Sequence, residues 1–176
     1  GRTPVMVDQA RGQVLMDSMA IAEYFEETVE GKAMINGTAA NRAEIRRLTS
    51  WFDHDFYYEV TGPLLFERMQ KRIVHRQPPD GGALREAMKA ANNHLDYVDY
   101  LIDHRTWLAG ATMSLADLAA AAHISVADYL GGIDWTGHEQ TKGWYSGLKS
   151  RPSFRPLLAE RMEIVSPPKY YEDVDF

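Results

Sequence analysis

Apolar and polar positions change period along this chain, and the period names the elements. Pro4–Val7 and Val14–Met16 are two short apolar runs separated by Arg11-Gly12, the pattern of paired strands joined by a turn. From Ser18 the period lengthens. Ile21, Tyr24 and Phe25 share one helical face, with Ser18 as the expected N-cap and Gly31 as the expected end. GKAMINGTAANR then reads as a linker, with Gly31, Gly37 and Thr38 as breakers. A second helix is expected from near Ala39, where Ile45, Leu48, Phe52 and Phe56 recur three and four apart, and Gly62-Pro63 is expected to kink or interrupt it. LLFERMQKRIVHR resumes the helix as far as a break at Pro78, Pro79, Gly81 and Gly82.

The most regular stripe follows: Leu84, Met88, Ala91, Leu95, Val98 and Ile102 predict one long helix. Next, Ser114 caps and Asp117, three positions on, completes a capping box, with Met113 and Leu118 at the staple positions. Ala119, Ala120, Ala121 and Ala122 let a neighbouring helix approach closely, so this helix is expected to be buried. Trp144 and Leu148 mark another helical face. Ser153 is the expected cap of a last helix, with Pro156 in its first turn. A tail follows Pro167-Pro168.

Composition narrows the function. The 176 residues carry 45% hydrophobic and 11% aromatic side chains, enough for a proper core. A net charge of −6 argues against general nucleic-acid binding. The chain has no cysteine, so it holds neither a disulfide nor a thiol nucleophile, in keeping with a reducing compartment. Apolar stretches are interrupted by charges well short of the ~20 residues of a membrane span. The chain starts at Gly1 rather than Met, and an incomplete N-terminus is expected.

Catalytic and metal patterns are sparse. The six histidines include no pair at i,i+3 or i,i+4. Asp53, His54 and Asp55 are consecutive, and consecutive helical residues diverge by about 100°, so they cannot share one ion. No metal site is expected. Asp53, Asp55, Tyr57 and Tyr58 read as cleft-lining residues or as the wet flank of a core helix. There is no Gly-rich phosphate loop and no Ser/His/Asp order of a hydrolase. The four tryptophans are expected in the core or an interface.

Two charged segments stand out. Arg68, Arg72 and Arg76, four apart, with Lys71 beside them, make a basic stripe that seats an acidic segment or is a solvated face flanked by Glu67. In the tail, Tyr170, Tyr171, Val174 and Phe176 alternate with Glu172, Asp173 and Asp175. That composition suits a docking element or a strap packed back on its own domain. Arg155, a cation in a helix's first turn, opposes the dipole, and the acidic tail is the expected compensation.

Three collinear motifs carry a family resemblance. TPVMV…GQVLMDSMAIAEYF resembles the end of the thioredoxin-like domain of glutathione transferases, WLAGATMSLADLAAAAHI their buried, box-capped helix, and WYSGLKSRPSFRPLL the close of their helical domain. The resemblance implies a mostly α fold: a transferase-like C-terminal helical bundle plus the C-terminal hairpin and helix of a thioredoxin-like α/β domain. The implied divisions are residues 1–31 for the partial thioredoxin-like domain, 32–38 for the linker, 39–166 for the helical domain and 167–176 for the tail. About the first third of the family's fold, with its catalytic Tyr, Ser or Cys, would lie outside this chain.

By the same resemblance, Pro4 would be a cis-proline, Thr3 would meet the cysteinyl part of glutathione, and Asp17 and Ser18 would hold its γ-glutamyl end. Ser18 also suits the purpose physically, because free N–H groups and the dipole at a helix N-terminus favour a carboxylate; equally, it reads as a cap alone. The tail, Glu67 in LLFERMQKR and Arg155 in RPSFRPLL resemble the family's bacterial cell-division members. This implies a cytoplasmic, non-catalytic homodimer that binds the tubulin-like FtsZ and organises its filaments at the division site, without a cofactor. The helix after the linker and the helix over 82–104 would form the dimer face. The implied partner-binding residues are Glu67, Arg68, Arg72, Arg155, Tyr171, Asp173, Asp175 and Phe176. The alternative is a transferase that activates the thiol of glutathione for attack on an electrophile.

Overall fold

The computed structural model of the chain describes residues 3–31 and 33–174. β1 (Val5–Asp8) and β2 (Gln13–Met16) form an antiparallel hairpin in the register Val5↔Met16, Met6↔Leu15, Val7↔Val14 and Asp8↔Gln13. Side chains alternate across a strand. Met6 and Leu15 therefore share one half-buried face, while Val5, Val7, Val14 and Met16 share the other, between 50% and 61% exposed. Asp8 ties the hairpin to the helix that follows: its carboxylate accepts from the Arg11 guanidinium at 3.0 Å and the Tyr24 hydroxyl at 2.7 Å.

That helix, α1 (Ser18–Thr28), is capped by Asp17 rather than Ser18. Asp17 Oδ1 accepts from the amides of Met19 at 3.0 Å and Ala20 at 3.1 Å. Both residue types cap well, but only the carboxylate also gains from the dipole. The helix ends at Thr28, short of Gly31, because Val29 is already extended, a conformation that suits its branched side chain. Glu26 then accepts from the amides of Met34 and Ile35 at 2.8 and 2.9 Å, anchoring the linker.

The second helix is longer than its sequence suggests. α2 (Ala39–Trp51) opens at a reciprocal Thr38–Asn41 cap and continues without a break. It passes through a π-helical segment (Phe52–Thr61), α3 (Gly62–Leu65) and a second π-helical segment (Phe66–His75). Pro63 does not interrupt it, since the preceding turn is π-helical and the Gly62 amide reaches back five residues to the Tyr57 carbonyl, so the ladder changes register at the residue that lacks an N–H. Phe52, Phe56, Val60 and Leu64 are all fully buried. A spacing of four overshoots an α turn by about 40° per step. The wider π turn drifts the opposite way, and the mixture of π and α turns keeps the line on the core.

α4 (Gly81–His104) is capped by Asp80, whose carboxylate accepts from Gly82 and Ala83 at 2.7 and 3.0 Å, so the two glycines open the helix instead of breaking it. Its core line is Ala87, Ala91, His94, Leu95, Val98 and Leu101, while Leu84, Met88 and Ile102 are half-buried at the margin. α5 (Leu115–Tyr129) runs through the centre. Ala116, Ala120 and Ala121 are buried, whereas Ala122 and Leu118 face outward. Asp117, fully buried, reaches back to the amide and hydroxyl of Ser114 at 2.9 and 3.0 Å; it also accepts from the Leu108 amide and the Trp144 indole, both at 3.0 Å. α6 (Glu139–Lys149) buries Trp144, Tyr145 and Leu148. The short α7 (Arg155–Ala159) starts after Phe154, not Ser153, with Pro156 in its first turn. Gly132 lets the turn after α5 touch the long helix, since a Cβ there would sit 2.3 Å from Leu64 Cδ1. No described helix is long and apolar enough to cross a membrane.

Candidate functional site

Two places gather the residues singled out in the sequence. The first is the cleft between hairpin and bundle. Thr3, Met16, Asp17, Ser18, Met19, Asp53 and His54 line a cavity of about 440 Å³. A neighbouring one of about 270 Å³ shares Ser18, Met19 and Asp53 and adds Leu118 and Ala119. The Thr3–Pro4 peptide is cis. Asp17 spends one carboxylate oxygen on the α1 cap, and Ser18 is exposed beside it. Asp53 meets His123 Nε2 at 3.2 Å, and Tyr57 and Tyr58 are 40% and 71% exposed. His54 turns to the Ser50 carbonyl at 2.9 Å.

The second place is the C-terminal segment, which lies back across the bundle as a strap. Tyr129 fixes its start, donating to the Val165 carbonyl and accepting from the Met162 amide, both at 2.9 Å. Tyr171 fixes its end. Its ring meets Tyr129 edge-on at 5.1 Å, its hydroxyl pairs with Ser125 at 2.9 Å, and it is 2% exposed. Tyr170 is half-buried, whereas Glu172 and Asp173 face out. Asp175 and Phe176 lie outside the described residues.

Beneath the strap is a buried charged group. Lys149 is fully buried; its ammonium donates to the Asp173 carbonyl at 2.5 Å and lies 5.5 and 5.7 Å from the ring centroids of Tyr145 and Tyr171. Burial lowers its proton affinity, and the charges of Asp128 and Asp173 oppose that. Asp128, also fully buried, accepts from the Trp135 indole at 3.0 Å, and burial pushes its carboxyl up to about 6. Beside it Tyr170 is pushed up to about 12, chiefly by burial and then by the charge of Asp128. Sequence reasoning missed this group. The available signal was Tyr145-to-Lys149, a cation four residues along a core-facing line.

The remaining candidates are mostly committed inside the chain. Glu67 is 5% exposed: it accepts from the Asp80 amide at 2.6 Å and pairs with Lys71 at 2.8 Å, contacts that hold its carboxyl below the usual range. Arg68 donates to the Gly131 carbonyl at 3.4 Å and Arg72 to that of Ile164 at 3.1 Å, so the basic stripe braces the strap and the turn after α5. Arg155 is exposed, and among the described residues no carboxylate pairs with it; the tail's Glu172 pairs instead with Arg161. Arg155 and Glu172 nonetheless line one open depression with Val174. Asp96, Asp99 and His138 converge from α4 and the start of α6. His138 is already held by Asp99 at 2.6 Å and Asn92 at 3.0 Å, while Asp99 also accepts from the Thr141 amide at 2.7 Å. The trio reads as the joint where α6 begins.

A partial thioredoxin-like edge docked on a box-capped helical bundle defines a class. The glutathione S-transferase C-terminal domain family matches residues 63–152, and the chain belongs to that family. Among individual relatives, FtsZ-localized protein A of Caulobacter vibrioides is 46% identical over 178 residues, covering all of this chain and 78% of that protein. A glutathione S-transferase structure from Rhodospirillum rubrum F11 superposes with a TM-score of 0.93 at 45% identity, covering 99% of this chain and 78% of that one. The structure of FzlA from C. crescentus superposes at 0.91 and 46% identity, covering 98% and 76%.

Proposed function

We propose that the chain is the larger part of a non-catalytic transferase-fold homodimer that binds FtsZ and organises its filaments at the cytoplasmic division site. The observation that carries this reading is the 46% identity to FtsZ-localized protein A along the whole chain. The strap supplies an acidic edge: Tyr171 anchors it inward while Glu172 and Asp173 are exposed, Glu172 in a surface pair with Arg161 that a basic partner side chain would replace. Tyr97 and Tyr100 of α4 stack at 6.4 Å with Tyr100 58% exposed, a rigid aromatic pair suited to a dimer face.

The test is co-sedimentation of the complete protein with FtsZ polymers. Glu172→Lys/Asp173→Lys inverts the exposed charge and leaves both tyrosines in place. Binding weaker by roughly tenfold or more is expected. Unchanged pelleting would remove the strap from the interface, and no pelleting of the unmodified protein would end the reading. Sedimentation equilibrium on the same sample checks the dimer.

A second reading, a glutathione transferase, rests on the cavity that Thr3, Asp17 and Ser18 share. Calorimetry of the complete protein with glutathione separates the two. Micromolar to millimolar binding that Ser18→Ala weakens supports an enzyme, and no heat leaves the scaffold.

A further inference from the structure

The strap's aromatic and charged groups divide by direction. Tyr170 and Tyr171 point into the bundle, Glu172 and Asp173 out of it, and the Asp173 carbonyl points back to the ammonium of Lys149. A fully buried cation is costly unless its environment repays it. Here the repayment has three parts: a backbone carbonyl of the strap, two aromatic faces within reach of a cation–π interaction, and the carboxylate of Asp128 nearby. One of the two rings, Tyr171, and the carbonyl belong to the strap itself. Undocking the strap would therefore strip the ammonium of its carbonyl acceptor and of one of its two aromatic faces at once, and this couples the cation's burial to the strap's position.

We infer that Lys149 is a positioning residue: it latches the C-terminal strap and so holds Glu172 and Asp173 in a fixed, pre-organised edge for a basic partner surface. The inference rests on the proposed function for its partner, but the latch itself does not. Every element packed around the ammonium contributes. α5 supplies Asp128, α6 supplies Tyr145, and the strap supplies Tyr171 and Asp173. Fixing the edge in advance reduces the ordering cost of binding, which is how pre-organisation raises affinity without adding a contact.

Hydrogen exchange on the full chain tests the latch directly. The amides of Tyr171 and Asp173 close turns onto the carbonyls of Pro168 and Tyr170, both at 3.0 Å, and report on the docked strap. Lys149→Met keeps the aliphatic length and removes the charge. Lys149→Met/Asp128→Asn removes both charges, so neither is left buried alone should the single variant fail to fold. In the folded variant, exchange at Tyr171 and Asp173 should rise by about tenfold or more relative to the α5 amides, the scale of a lost charge-assisted hydrogen bond. FtsZ pelleting should weaken in parallel. Strap exchange unchanged in a folded variant would overturn the latch. A loosened strap with unchanged pelleting would overturn its role in presenting the edge. Failure of the unmodified protein to pellet would fall on the proposed function alone, since the exchange measurement needs no partner.

Discussion

A carboxylate taken out of water resists ionising, and Asp128 lies at that limit. Its side chain is fully buried, one oxygen meets the Trp135 indole, and burial raises its carboxyl from 3.8 to about 6 despite the charge of Lys149. The consequence for stability has a definite sign. Between about pH 4 and 6 the native state holds a proton that the unfolded chain has released, so this group's contribution falls as pH rises through that window. Asp8 and Glu44 act the other way. Hydrogen bonds, from Tyr24 and Arg11 to Asp8 and from Arg47 and Arg105 to Glu44, hold both near 2, so their contribution is lost as pH falls below about 4. Asp128→Asn removes only the first trend. Relative to the unmodified protein, the variant should gain roughly 2–3 kcal/mol between pH 4 and 7, read from urea unfolding at each pH. A difference between the two proteins that does not change with pH would contradict the raised carboxyl.

The elements written most clearly in the chain are those fixed by local chemistry, and α5 is the best case. Ser114 and Asp117 announce its start, and the folded carboxylate serves four donors: the Ser114 amide and hydroxyl, the Leu108 amide and the Trp144 indole. Asp117→Ala leaves those donors buried and unmatched. It should cost about 3–5 kcal/mol in urea unfolding, with a smaller loss for Asp117→Asn, which keeps one acceptor. The hairpin and the cis Thr3–Pro4 peptide were equally legible, from short apolar runs and from family likeness. Capping was legible in kind and less so in position. Asp17 and Ser18 are both capping types, and only the folded geometry chooses between them. Gly62-Pro63 looked like a break because an α register was assumed, whereas π turns admit the proline and carry Phe52 to Leu64 along one line. The strap was open in the sequence because its aromatic-acidic alternation has no helical or strand period to say which side chains face in. Lys149 and Asp128 escaped notice for a related reason: each is a charged residue within an apolar helix face, and its partners lie on other elements.

At the scale of the molecule, the C-terminal strap is part of the bundle that it would present to a partner. It returns over the long helix, α5 and α6, and its contacts join residues far apart in sequence: Arg72 to Ile164, Tyr129 to Val165, Ser125 to Tyr171 and Lys149 to Asp173. Removing residues 170–176 would therefore do more than delete an acidic edge. It would uncover Tyr129 and Ser125, abolish the burial of Tyr171, and leave the Lys149 ammonium without its carbonyl acceptor. Truncating a buried aromatic alone costs about 3–5 kcal/mol, a large share of the roughly 5–15 kcal/mol that holds a domain folded. The truncated chain should keep its helical far-UV signal at 25 °C and unfold at a markedly lower urea midpoint. Glu172→Lys/Asp173→Lys gives up the surface pair with Arg161 and the Asp173 charge near Lys149 but removes no buried side chain, so it should cost only about 1–2 kcal/mol, well short of the truncation. A truncation that left the midpoint in place would mean the strap contributes nothing to the fold. A lowered midpoint would make charge reversal, rather than deletion, the variant that measures partner binding.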